Sequence, residues 1–126
     1  MTKDKSVTLR LTKPEKAALE VAATLTGQAP GTLAAIYVKE GVKRSRFPSI
    51  EFRDGAPGRV AYVTGTRWPV WMVVDLVEDL GGNTAKAAQR LEKPEPVVRM
   101  ALAYAEAYPE EIASSLALHA HRDFEA

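Results

Sequence analysis

Polar and apolar positions alternate from Ser6 to Thr12, with Val7, Leu9 and Leu11 set between Ser6, Thr8, Arg10 and Thr12. A period of two predicts a β-strand with one apolar and one polar face. A lone strand of this length has no stability of its own, and the pattern changes at once. Thr12 and Glu15 make a T-x-x-E capping box with Pro14 in the first turn, which predicts a helix start. That helix runs to about Thr26 and stops at Gly27, with Leu19, Ala22 and Ala23 on its buried stripe. After Gln28-Ala29, Pro30 opens a second helix to about Lys43, with Leu33, Ile36, Tyr37 and Val38 as core contacts. No second strand is encoded nearby, so the strand's partner is expected from another chain, most simply an identical one.

Beyond this module the pattern changes again. Arg44-Ser45-Arg46-Phe47-Pro48-Ser49 reads as a basic connection, with a boundary near residue 48. Residues 50–64 read as a hairpin: Ile50 to Arg53 alternates, Asp54-Gly55 and Pro57-Gly58 turn, and Arg59 to Val63 returns. Val70, Val73, Val74 and Val77 then mark one face of a helix that stops at Gly81-Gly82. Asn83 caps a short helix that buries Ala85, Ala88 and Leu91. Lys93-Pro94-Glu95-Pro96 turns into a third helix carrying Val98, Ala101, Leu102 and Ala105, which ends near Tyr108-Pro109. A last helical stretch runs from Glu110 to His119, followed by a fraying end. The expected fold class is mainly α with minor β: residues 1–47 as a strand-helix-helix dimerisation module, and residues 48–126 as a hairpin plus a helical domain.

Charge adds to this division. Residues 1–48 carry nine Lys or Arg against four Asp or Glu, a net of +5, and residues 49–126 carry eight against twelve, a net of −4. A basic head joined to an acidic remainder suits a nucleic-acid-binding module with a different second module. The chain has no cysteine, which excludes disulfides and thiolate metal sites and fits a reducing, cytoplasmic setting. It shows no apolar run near the ~20 residues of a membrane span and no signal-peptide core.

Residues 5–44 resemble the ribbon-helix-helix repressors of the Arc, MetJ and CopG type, through the alternating strand, the capped first helix, the Gly27 break and Leu33 near the start of the second helix. The resemblance implies that two chains pair their strands into an antiparallel ribbon that enters the DNA major groove. Ser6, Thr8 and Arg10 then take the groove-facing positions. Val7, Leu9 and Leu11, with Leu33, Ile36 and Tyr37, take the dimer core. A ribbon fits the major groove, where Arg10 can hold a guanine by two hydrogen bonds and Thr8 can touch a thymine methyl. The second helix would offer the amides of Gly31 and Thr32 to a phosphate, and Lys3, Lys5, Lys13 and Arg44 would add backbone contacts. The family often has Ser or Thr at that helix cap, where this chain has Ala29 followed by Pro30-Gly31.

Residues 50–112 resemble a second family, the small bacterial domain of unknown function 433. The likeness rests on Gly65-Thr66-Arg67-Trp68-Pro69-Val70 after the hairpin and on Ala101-Leu102-Ala103-Tyr104-Ala105. It implies a β-hairpin plus a helix-turn-helix-like helical domain over residues 48–126, in an antitoxin-like protein paired with a PIN-domain ribonuclease toxin. Two roles stand open for this module. It is a partner-binding platform, which its net negative charge favours because DNA repels an acidic surface, or it is a second DNA contact through Arg67, Arg90, Lys93 and Arg99. Gly65 to Arg67 also have a purely structural reading, as a turn that staples the hairpin to the helices. Trp68 and Trp71 read as core.

No catalytic constellation is expected. His119 and His121 are the only histidines, placed near the end without the clustered ligands a metal needs. Asp75, Glu78 and Asp79 read as a solvated helix face rather than an acid-base pair. The sequence thus predicts a non-enzymatic, cofactor-free, dimeric repressor of antitoxin type, with duplex DNA as partner and further assembly of dimers on repeated half-sites. The alternatives are a stand-alone plasmid or mobile-element regulator with both modules on DNA, and an adaptor whose strand serves dimerisation alone.

Overall fold

The computed structural model describes residues 6–55 and 58–125. Its elements, in chain order, are α1 (Lys13–Thr26), α2 (Pro30–Arg46), β1 (Ile50–Gly55), β2 (Gly58–Val63), α3 (Val70–Asp79), α4 (Thr84–Leu91), α5 (Glu95–Ala107) and α6 (Pro109–Glu125). The chain is mainly helical, with one two-stranded antiparallel sheet. No helix of the described residues is long and apolar enough to cross a membrane. Contacts divide the chain into two compact units, Met1–Gly41 and Val42–Ala126. The division falls inside α2, ahead of the boundary expected near residue 48. Arg44, Ser45 and Arg46 continue the helix instead of forming a linker. The helix ends at Arg46, because Phe47 precedes Pro48 and such a residue is driven out of the helical region.

In the first unit, Thr12 is extended, and its hydroxyl accepts from the Glu15 amide at 3.3 Å while Glu15 accepts from the Thr12 amide at 2.8 Å. This reciprocal pair satisfies two amides that the first turn leaves without helical partners. Gly27 ends α1 in the left-handed region at φ 68°, a conformation that disfavours any side chain with a Cβ. Ala23 and Leu33 are buried between the two helices, whereas Leu19, Ala22 and Ile36 are half-buried and Tyr37 and Val38 are exposed. Residues 6–12 form no strand ladder. Strand assignment requires hydrogen bonds to a neighbour, and the described residues offer this segment none.

The second unit is built on one core. β1 pairs with β2 in the register Ile50↔Val63 through Gly55↔Gly58, which turns Ile50, Ala61 and Val63 inward. Val70, Val73 and Val77 of α3, Ala87, Ala88 and Leu91 of α4, Val98, Ala101 and Tyr104 of α5 and Ile112 of α6 complete it. Two expectations are corrected here. Ala85 is exposed, because the inward stripe of α4 runs through 87, 88 and 91. In α5 Tyr104 is fully buried beside Val98 and Ala101, while Leu102 and Ala105 pack at the margin.

Tyr104 owes its burial to its partners. Its hydroxyl lies 2.7 and 3.0 Å from the two carboxylate oxygens of Glu111 in α6. Glu111 also accepts from Lys43 Nζ at 2.7 Å. A buried phenol needs such a partner, and this one arrives from the next helix, after the break at Pro109. Phe47 packs edge-on to the Tyr104 ring with centroids 5.3 Å apart, and Arg46 donates to the Tyr108 hydroxyl at 2.9 Å. The last turn of α2 is thereby fixed to α5 and α6 within the second unit. His119 lies in α6 and stacks on Trp71 at 3.8 Å between ring centroids. The side chain of His121 lies outside the described residues.

Candidate nucleic-acid interface

In the first unit, the residues predicted for the ribbon sort onto two sides. Val7, Leu9 and Leu11 line a mainly apolar groove of about 600 Å³ together with Leu19, Ala34, Ala35 and Val38, and Lys16 and Lys39 also border it. All three strand residues stay largely in solvent, Val7 at 81%, Leu9 at 52% and Leu11 at 45% exposure. Ser6, Thr8 and Arg10 alternate with them, are exposed and do not line the groove. None of the three has a side-chain hydrogen bond or ion pair among the described residues. The segment thus has one face over an open apolar groove and its polar face in solvent.

The α2 side of the groove is Pro30, Gly31, Ala34, Ala35, Val38 and Lys39, with Gly31, Ala34 and Ala35 its small residues. A Cβ added at Gly31 would meet nothing within 4 Å, so nothing inside the chain requires glycine there. Gly31 and Thr32 are exposed in the first turn of α2, behind Ala29, whose carbonyl accepts the first helical bond from Leu33 at 3.0 Å. Lys13 and Arg44 are exposed. Lys3 and Lys5 lie outside the described residues.

The second unit treats its predicted residues unevenly. Gly65 is left-handed at φ 72°, and its amide donates to Glu51 Oε1 at 2.9 Å. Thr66 donates to the Val63 carbonyl at 2.7 Å and accepts from the Trp68 amide at 3.0 Å. These two residues thus hold the turn after β2. Arg67 is exposed and staples nothing: it has no side-chain hydrogen bond or ion pair among the described residues. Lys93 is half-buried, its stem beside Val63, Trp68, Val97 and Val98. Arg90 and Arg99 are exposed on α4 and α5. Asp75, Glu78 and Asp79 are exposed on α3, and no group of three metal-ligating side chains exists among the described residues.

No family model, curated protein or solved structure matches the chain.

The new division inside α2 also changes the electrostatics. Lys43, Arg44 and Arg46 belong to the second unit, so Val42–Ala126 holds eleven basic and twelve acidic side chains, a net of −1, and the first unit falls to a net of +2. The charge argument against DNA at the second unit loses most of its force.

Among the described residues, three carboxylates have their pKa values lowered from the ordinary range. Glu15 is lowered by its backbone and side-chain hydrogen bonds with Thr12. Glu51 is lowered by Arg53 and the Gly65 amide, and Glu95 by Thr84 and Arg99. Groups lowered on folding stabilise the folded chain above their unfolded value, and that contribution disappears as pH falls through the folded value. Urea midpoints are therefore expected to hold from pH 7 to about 5 and to drop below it, with a smaller drop in Glu51→Gln. Equal acid sensitivity in wild type and Glu51→Gln would remove Glu51 from this account.

Proposed function

We propose that the protein is a dimeric, sequence-specific DNA-binding repressor of the antitoxin type. One observation carries the reading: residues 6–12 hold Val7, Leu9 and Leu11 over an open apolar groove while Ser6, Thr8 and Arg10 stay in solvent. A second copy of the segment would supply the missing ladder and cover the apolar face. The paired strands would then carry two copies of Arg10 and Thr8 into a major groove, where base edges are distinguishable. The amides of Gly31 and Thr32 would take a phosphate without help from a capping side chain, since Ala29 has none. The antitoxin role rests on the resemblance of Gly65 to Val70 and Ala101 to Ala105 to a family paired with PIN-domain toxins. On this reading the second unit binds a toxin, further DNA or another dimer.

The test is fluorescence anisotropy of the full chain with duplexes selected from a randomised pool, across a salt series. Arg10→Ala is expected to weaken the selected duplex by at least about tenfold, because a bidentate arginine-guanine contact contributes roughly 1–3 kcal/mol and a symmetric dimer loses two. Binding to random DNA should fall less and remain salt-dependent. Unchanged affinity and preference in Arg10→Ala would exclude the ribbon as the reader.

A further inference from the structure

The pair α4 and α5 in the second unit has features that neither the ribbon nor a toxin requires. Asn83 caps α4 by accepting from the Lys86 amide at 3.0 Å. Nine residues later the chain enters the left-handed region at Glu92, φ 55° and ψ 43°, the one non-glycine residue with positive φ in the described chain. Three residues, Glu92-Lys93-Pro94, then lead into α5. Ala88 and Leu91 are buried on one helix and Val98 and Ala101 on the other. Two helices closed by a three-residue turn are the helix-turn-helix arrangement, in which the start of the second helix meets base edges.

The start of α5 carries a held arginine. Glu95 Oε1 accepts from Arg99 Nε at 3.1 Å and Nη2 at 2.6 Å, and from the Thr84 hydroxyl of α4 at 2.8 Å. Arg99 is nonetheless 68% exposed. A guanidinium has five N–H donors. Glu95 takes Nε–H and one of the Nη2 donors on one edge. The two Nη1 donors and the other Nη2 donor remain, and Nη1 with Nη2 forms the two-pronged end that matches guanine O6 and N7. Holding the side chain in advance reduces the freedom it must lose on binding. On the exposed surface of α4, Lys86 and Arg90 lie four residues apart, suited to phosphate contacts that position without specifying.

We propose that α4 and α5 form a second duplex-DNA reader, with Arg99 held by Glu95 as its guanine-recognising residue and Lys86 and Arg90 on the backbone. This rests on the DNA-binding reading above and commits the second unit to DNA. Each dimer then carries two kinds of reader, and its operator holds a guanine-dependent position that Arg10 does not govern.

The experiment selects duplexes from a randomised pool with the full-length wild type, Arg99→Ala, Arg99→Lys and Arg10→Ala. Anisotropy then gives affinities for the wild-type duplex, and circular dichroism confirms that each variant is folded. Arg99→Ala is expected to lose one guanine preference and to bind the wild-type duplex roughly tenfold to a hundredfold more weakly. Arg99→Lys should keep affinity for random DNA and lose the same preference, since an ammonium has charge but no fork. If Arg99→Ala selects the wild-type motif with affinity unchanged within about twofold, Arg99 is no reader; should Arg10→Ala erase that motif, the ribbon stands and this proposal alone falls. If wild type selects no motif and shows no salt-dependent binding, the DNA-binding reading fails, and this proposal with it.

Discussion

Leu9→Asp is expected to leave the protein monomeric while the second unit stays folded. Leu9 sits in the middle of the alternating segment, half exposed in the single chain, between Val7 and Leu11 on the wall of the apolar groove. Covering such a side chain stabilises an assembly by about 1.5–3 kcal/mol. The substitution removes that term and places a carboxylate where a partner strand would exclude water. In a two-fold dimer each change occurs twice, so the dimer dissociation constant should rise by about a thousandfold or more. Sedimentation equilibrium over a concentration series measures it directly. Gly31→Ala supplies a second approach to the same surface: a Cβ added there meets nothing within 4 Å in its own chain, so its effect falls on whatever enters the groove. A wild type that is monomeric at all accessible concentrations, or a Leu9→Asp protein that dimerises as wild type does, would eliminate the ribbon dimer.

Tyr104→Ala should be the most destabilising single substitution in the second unit. The ring is fully buried and lies among Phe47, Phe52 and Tyr108. Removing a buried aromatic costs about 3–5 kcal/mol through lost transfer energy and the cavity that remains. Its hydroxyl is also one of the groups that meet Glu111, which would be left with Lys43. Tyr104→Phe separates the contributions: it keeps the packing and withdraws only the hydroxyl, at about 1–3 kcal/mol for the carboxylate left short of a donor. Urea unfolding of the full chain is expected to show the midpoint falling in the order wild type, Tyr104→Phe, Tyr104→Ala. A Tyr104→Ala midpoint indistinguishable from wild type would mean that the α5–α6 seam contributes little to stability.

The two predictions draw on information of different kinds. The groove face was legible in the alternation of Val7, Leu9 and Leu11, because a period of two assigns side chains to faces without reference to anything distant. The T-x-x-E cap and the Gly27 stop were legible for the same reason: both act over three or four residues. Tyr104 was not legible. It occupies a position on α5 where the pattern of small and apolar residues favoured Leu102 and Ala105, and its burial depends on a carboxylate seven residues away on another helix. Arg99 is a related case. Its exposure and charge were readable, but its orientation is set by Glu95, whose own position is tied to Thr84 on α4.

The extent of α2 was decided in the same manner. Composition marked Arg44 to Ser49 as a basic connection, since clusters of charge beside a proline commonly lie between elements. Instead Lys43 meets Glu111, Arg46 meets Tyr108 and Phe47 meets Tyr104, contacts that keep the helix intact to Arg46. That shift moved three cations into the second unit and altered its charge balance. By itself, then, the sequence determined the elements whose causes are local: caps, stops, hairpin turns and the alternating segment with its polar and apolar faces. Tertiary structure alone decided where the unit boundary falls and that Glu111 holds Tyr104 and Lys43, because these depend on residues that only packing between helices brings within hydrogen-bonding distance; Arg99 meets Glu95 one turn earlier on its own helix, and packing adds only the tie of Glu95 to Thr84.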